Sequence, residues 1–174
     1  MSKKKILTIP NPLLRKISEP VKSVDREVKN LLDDMLETMY AAPGIGLAAV
    51  QIGILKRLIV IDLSKEGKKK EPLFIINPVI ISKSNELVSY EEGCLSIPNQ
   101  FAEVKRPSAC KINFIDYKGK KKEMSVNGLL ATCIQHEIDH LNGILFIDHL
   151  SKLKKDLIIK KNKKQNKEID RVIV

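Results

Sequence analysis

Apolar residues recur at three- and four-residue spacing through residues 24–41, where Val28, Leu31, Leu32, Met35, Leu36 and Met39 share one face. That period predicts an amphipathic helix, with Ser23 or Asp25 placed to cap its start and Pro43-Gly44 to end it. Four apolar runs at 58–62, 73–82, 86–90 and 111–117 predict strands, the last alternating through Ile112 and Phe114. Turn signals separate these elements at Asn77-Pro78, Lys118-Gly119 and Asn127-Gly128. A second helix is predicted over residues 129–141, stopped by Asn142-Gly143. From Ser151 the pattern is helical again, with Leu153, Leu157 and Ile158 as anchors on one side before lysines take over. Strands cluster between helices instead of alternating with them, so the fold class is α+β. Residues 1–150 read as the body of one domain and residues 151–174 as its basic C-terminal helix or tail.

Composition narrows the function classes. A chain of 174 residues with 43% hydrophobic and 30% charged residues is globular and long enough for a core. With only 4% aromatic residues and no Trp, that core is mostly Ile, Leu and Val. No apolar run reaches bilayer length, so no membrane partner is expected. Pro10 and Pro12 break any signal-peptide core, which favours a cytoplasmic protein; an organelle stays open, although no presequence rich in Arg and Ser is seen. Three cysteines form no disulfide framework, so one that matters should matter as a thiolate or ligand. The formal charge of +10 is uneven: residues 151–174 carry a net +6. A basic appendage on an ordinary body is the reading, not a whole surface built for nucleic acid.

The strongest chemical signal is His136-Glu137-Ile138-Asp139-His140 in the second helix. Residues four apart lie on one helical face, so both imidazoles can reach one ion, with Glu137 beside a water that the ion would acidify. A catalytic centre of this kind takes a third protein ligand. Phe146 occupies the position where a metzincin places its third His, Glu168 lies far off in the tail, and His149 reads as a surface residue. The remaining candidate is upstream, at Glu92-Gly93-Cys94-Leu95-Ser96, where a thiol beside a cation would ionise. A third segment, Gly44-Ile45-Gly46-Leu47-Ala48-Ala49-Val50-Gln51, offers two glycines for close backbone approach and one side-chain amide. Asp139 points away from His136 by helical angle and is expected to pair with Arg106.

Taken together, these three segments in this order resemble peptide deformylase, over roughly residues 4 to 150. The resemblance implies an α+β catalytic domain with mixed or antiparallel strands around the metal-bearing helix, an N-terminal amphipathic helix and a C-terminal basic helix. It also implies hydrolytic removal of the formyl group from N-formylmethionine at the start of nascent polypeptides. By that likeness Cys94, His136 and His140 hold one divalent metal ion, natively Fe²⁺, with Zn²⁺, Ni²⁺ or Co²⁺ as substitutes. Glu137 is then the general acid and base, while Gln51 and the Leu95 N–H stabilise the oxyanion.

For substrate binding the resemblance implies backbone from Gly44, Ile45, Gly46 and Gly93, and a methionine pocket formed with Ile45, Tyr90, Leu129 and Cys133. Two positions depart from the common pattern: Thr132 is polar where a larger apolar residue is usual, and Phe101 replaces an Arg near the substrate's tail. A partner role also follows, in which the basic tail docks on the ribosome. The alternatives are a metallopeptidase, which needs no Cys94, and a non-catalytic ribosome-binding module, which needs no Glu137.

Overall fold

The computed structural model describes residues 2–65 and 67–172, with side chains through Gln165. The side chains beyond Gln165, that of Glu168 among them, lie outside the description, as do residues 173–174. The first helix, α1 (Arg26–Ala41), starts two residues later than its apolar period suggests, because the Asp25 carboxylate accepts the Val28 N–H at 2.9 Å. Its apolar face, Val28, Leu32, Met35 and Met39, packs with Leu47, Leu58 and Val60 into one core cluster.

Seven strands follow: β1 (Gly46–Ala48), β2 (Leu58–Ile61), β3 (Leu73–Lys83), β4 (Leu87–Cys94), β5 (Ile97–Pro107), β6 (Ala109–Ile115) and β7 (Lys121–Asn127). They form an antiparallel sheet in the order β1-β2-β3-β6-β7 and a separate β4-β5 hairpin. Three of them carry no readable alternation in sequence. β1 is too short, β5 is interrupted by Pro98, Asn99 and Gln100, and β7 opens on Lys121-Lys122-Glu123. Each forms because a partner strand supplies the hydrogen bonds, as β6 does along all of β7. The strand expected at 86–90 continues through Cys94, so the thiol ends a paired strand instead of following one.

Helix α2 (Gly128–Leu141) is the central element. Ten of its fourteen residues are buried, among them the polar Thr132, Gln135, His136, Glu137 and His140. A helix buried nearly all round is ordinarily apolar, so five buried polar side chains mark this one as functional. Its inner face joins Ile59, Ile61, Ile75, Ile112 and Phe114 of the large sheet in a second core cluster.

The last helix, α3 (Lys152–Val172), docks differently from expectation. Leu153 and Leu157 are exposed, while Ile158 and Asn162, one turn apart, are buried. Ile158 joins Leu14, Ile97, Val104 and Phe146 in a third cluster, which corrects the expected anchor set to Ile158 alone among the three. No helix among the described residues is long and apolar enough to cross a membrane.

Gly143 turns the chain out of α2 with φ of +73°, and a Cβ there would come within 2.5 Å of the Arg15 carbonyl oxygen. Gly67 has a similar φ of +75° but open space around it. Gly67→Ala should cost about 1 kcal/mol from the left-handed backbone alone. Gly143→Ala should cost at least ~2 kcal/mol more, through the backbone clash. Urea unfolding of both variants checks this; equal losses would mean the approach to Arg15 carries no weight.

Candidate metal centre

Three separate segments meet at one point. β4 delivers Cys94 at its end, and a tight connection through Leu95 and Ser96 turns the chain into β5, with Cys94 paired to Ile97. The thiol accepts from the Ser96 N–H at 3.4 Å and lies 3.2 Å from His140 Nε2. α2 presents His136 and His140 from successive turns, with ring centroids 5.0 Å apart. One ligand atom from each of Cys94, His136 and His140 lies within 4.8 Å of the other two. Burial alone would push the Cys94 thiol up, but the imidazoles of His140 and His136 overcome it and hold the pKa well below the usual thiol value. Burial likewise works against a proton on His136, and Cys94 and Glu92 outweigh it in the opposite sense. A soft thiolate and two imidazoles converging this closely suit a borderline divalent ion such as Fe²⁺ or Zn²⁺.

One of the two imidazoles is oriented from behind. His136 Nδ1 donates to Glu92 Oε2 at 2.8 Å, leaving Nε2 for the centre. Glu92 is gripped by Arg106, through Nε at 2.6 Å and Nη2 at 3.0 Å. Arg106 Nη1 reaches Asp139 at 2.8 Å, the pairing expected from helical angle, and Asp139 also meets His149 Nε2 at 2.7 Å. His149 is therefore the outer end of this hydrogen-bonded chain and not a ligand. Sequence reading did not assign Glu92 a role; its place two residues before Cys94 was visible, but no spacing rule links it to His136.

Glu137 lies beside the three donors, with Oε2 buried and without a hydrogen-bond partner among the described residues. Burial raises its carboxyl pKa; His136 and His140 oppose this, while Cys94 and Glu92 add to it. Gly46 is a glycine for a direct reason: a Cβ there would fall 2.5 Å from Glu137 Oε1. Gly44 is similarly constrained, since a Cβ would meet Leu95 Cδ1 at 2.7 Å. Gln51 is buried, accepting the Ala48 N–H through Oε1 at 2.9 Å and donating from Nε2 to Ser96 Oγ at 3.1 Å. The same Nε2 lies 3.6 Å from Cys94 Sγ.

A cavity of about 640 Å³ opens onto this group. Every predicted site residue lines it except His140, which is buried against Cys94. Ile45, Tyr90, Leu129 and Cys133, drawn from a loop, a strand and a helix, are thus brought to one wall system. Thr132 also lines it, with a buried hydroxyl that has no partner among the described residues.

Removing Arg106 would leave the Glu92 and Asp139 carboxylates without the cation that joins them. Arg106→Met should therefore lower unfolding stability by about 3–5 kcal/mol at neutral pH. Glu92 and Asp139 are held below the usual carboxylate range: burial opposes this, but His136, His149 and Arg106 outweigh it. Their contribution is complete above about pH 4 and is lost as the pH falls through the lowered values. Urea titrations at pH 7 and pH 3 should show a larger acid loss in the parent chain than in the variant. A variant with the parent's stability at pH 7 would refute the assignment.

Comparison with known proteins matches this arrangement. The family model described as polypeptide deformylase matches residues 3–156. A peptide deformylase from Pelagibacter ubique is 62% identical over 161 residues, covering 92% of this chain and 94% of that protein. One from Rhizobium meliloti is 55% identical, over 92% of each chain. The crystal structure of peptide deformylase from Ehrlichia chaffeensis superposes with a TM-score of 0.91 at 43% identity, covering 96% of this chain and 98% of the other. A second structure from that organism, in complex with actinonin, gives 0.90 at 45% identity, covering 95% and 98%. Since the match runs through all three segments that converge on Cys94, the chain belongs to the polypeptide deformylase family.

Proposed function

We propose that this enzyme removes the formyl group from the N-terminal formylmethionine of nascent polypeptides, releasing formate, with its reaction centred on Cys94, His136 and His140. The observation that carries the reading is the convergence of those three donors within 4.8 Å beside a buried, unpartnered carboxylate oxygen of Glu137. A metallopeptidase would not need Cys94, which here lies 3.2 Å from His140 Nε2.

Cys94 Sγ and one nitrogen each of His136 and His140 would hold a divalent ion, Fe²⁺ by family likeness and Zn²⁺, Ni²⁺ or Co²⁺ as substitutes. Bound there, the ion supplies a Lewis acid for the formyl carbonyl and brings the pKa of a water toward about 7. Glu137, its carboxyl raised by burial, takes the proton of the attacking water and passes it to the leaving amine. The Leu95 N–H and Gln51 Nε2 donate to the oxygen on which negative charge develops, each worth roughly 3 kcal/mol. Gln51 suits this task because the Ala48 N–H already fixes its amide orientation, with Nε2 turned toward Cys94.

The substrate's first side chain enters the apolar part of the cavity bounded by Ile45, Tyr90, Leu129 and Cys133. Its extended backbone runs against the main chain of Gly44, Ile45, Gly46 and Gly93, all of which line the cavity. Residues 151–174 act as a basic appendage of the same domain, in the cytoplasm where nascent chains emerge, and dock on ribosomal RNA. Supporting this, the net +6 of the tail falls within residues 151–165, as seven lysines against Asp156.

Two variants separate binding from proton transfer. Cys94→Ala should lose both metal and formate release, because two imidazoles leave the coordination set incomplete. Glu137→Ala should keep stoichiometric metal yet lose turnover by roughly 10²–10⁴-fold. Metal analysis and a formate assay on a formyl-Met peptide decide both; full metal in Cys94→Ala or near-parent turnover in Glu137→Ala would overturn the corresponding role.

The tail needs a charge test, not a deletion from Lys160, since Asn162 is buried and Gln165 accepts from Gln100. Lys160, Lys161, Lys163 and Lys164, all exposed, are changed together to Ala. Binding to isolated ribosomes should weaken, and its dependence on log salt should flatten by up to about four units. Release of formate from a free peptide should be unaffected. Unchanged ribosome binding at low salt would leave the lysines a solubility role.

A further inference from the structure

Residues 42–45 join α1 to β1 and line the cavity, yet they carry little that could hold them in place. Pro43 and Ile45 are exposed, and Gly44 has no side chain. At the α1 end the Gly44 N–H donates to the Met39 carbonyl at 3.0 Å. At the β1 end the Ile45 carbonyl accepts the Asp62 N–H at 3.0 Å, one residue beyond the pairing of Gly46 with Ile61.

Asp62 reaches both ends of this segment. It follows β2 directly and is buried. While its main chain holds Ile45, its Oδ2 accepts the phenol of Tyr40 from the last turn of α1. Its Oδ1 accepts the Ser64 N–H at 2.7 Å, which fixes the rotation of the carboxylate. Burial works against charge on Asp62, but the bonds from Ser64 and Tyr40 outweigh it and keep the carboxyl below its usual range. Lys70 lies over the Tyr40 ring, 5.1 Å from its centroid, and steadies the phenol from outside. Among the residues that line the cavity, neither Tyr40 nor Asp62 appears.

Resting on the deformylase reading above, we infer that Tyr40 and Asp62 are positioning residues, a clamp that joins the two stems of residues 42–45 and holds their main chain where an extended peptide meets it. Without the phenol, the α1 stem is released while Ile45 stays tied to Asp62. The segment then spreads over positions in which the peptide is held less tightly. Cys94, His136, Glu137 and His140 stand on β4 and α2, so the chemical step goes on unaltered once substrate is bound.

The test compares Tyr40→Phe with Tyr117→Phe in the metal-loaded full chain. Tyr117 makes a matching set of contacts: its hydroxyl donates to Asp33 of α1 at 3.1 Å, and Lys29 lies 5.7 Å from its ring centroid. Asp33 sits about two helical turns before Tyr40, and Tyr117 does not line the cavity. On a formyl-Met-Ala-Ser peptide, Tyr40→Phe should raise KM by about three- to tenfold with kcat within about twofold of the parent. Tyr117→Phe should leave both within about twofold. Asp62→Ala should raise KM at least as far, and adding Tyr40→Phe to it should change KM no further, because the hydroxyl has no partner left to lose. KM does not depend on how much of a variant folds or holds metal. A Tyr40→Phe KM within about twofold of the parent, equal rises in the two tyrosine variants, or additive rises in the double variant overturns the clamp while formate release continues. No formate from the parent chain overturns the deformylase reading itself, and the clamp with it.

Discussion

Arg106 is the cation on which the centre depends. It brings two buried carboxylates together, Glu92 from β4 and Asp139 from α2, and so fastens the hairpin to the central helix. Taking three charges out of water is expensive, and the cost is offset only when geometry is close and every group is bonded. Here the guanidinium meets Glu92 through two nitrogens and Asp139 through a third, while Glu92 spends its second oxygen on His136 as well. The same interaction that joins the two elements therefore fixes the ring orientation of one of the three converging donors. Stability and site geometry are one constraint at this point.

Close approach is the second constraint. Glu137 comes so near the chain at Gly46 that no side chain fits between, and Leu95 does the same at Gly44. The start of β1 is thereby pressed onto the α2 carboxylate without any bond that a sequence motif would announce. Gln51 completes the arrangement from the turn just after β1, its amide locked by the Ala48 N–H on one side and by Ser96 on the other. Preorganisation of this kind lets donors act without rearranging when charge develops.

The C-terminal helix illustrates how a charged element is held by few apolar contacts. Ile158 and Asn162 are buried on one stripe, and Asp148 ties the helix to the body through Lys155 at 2.5 Å and through Arg15. Burial opposes ionisation of Asp148, but Arg15, Lys155 and the Leu145 N–H bring its carboxyl down to about 2. The exposed lysines lie on the helix's remaining faces.

Much of the centre was legible in sequence because a helix converts spacing directly into geometry. His136 and His140 had to share a face, Asp139 had to point elsewhere, and α1 and α2 declared themselves through period and stop signals. Strands were legible where local pattern sufficed, β2 as a continuous apolar run and β6 by its alternation. What the sequence could not yield were relations between segments. β1, β5 and β7 exist only because partners complete their hydrogen bonds, and Cys94 belongs to β4 only through pairing with β5. Leu153, Leu157 and Ile158 all read as anchors, yet the angle at which α3 meets the body turned only Ile158 of the three inward. The grip of Arg106 on Glu92, and of Glu92 on His136, was likewise decided by tertiary packing alone. Local period is written in neighbouring residues, whereas a buried charge finds its partner only after the chain has brought distant elements together.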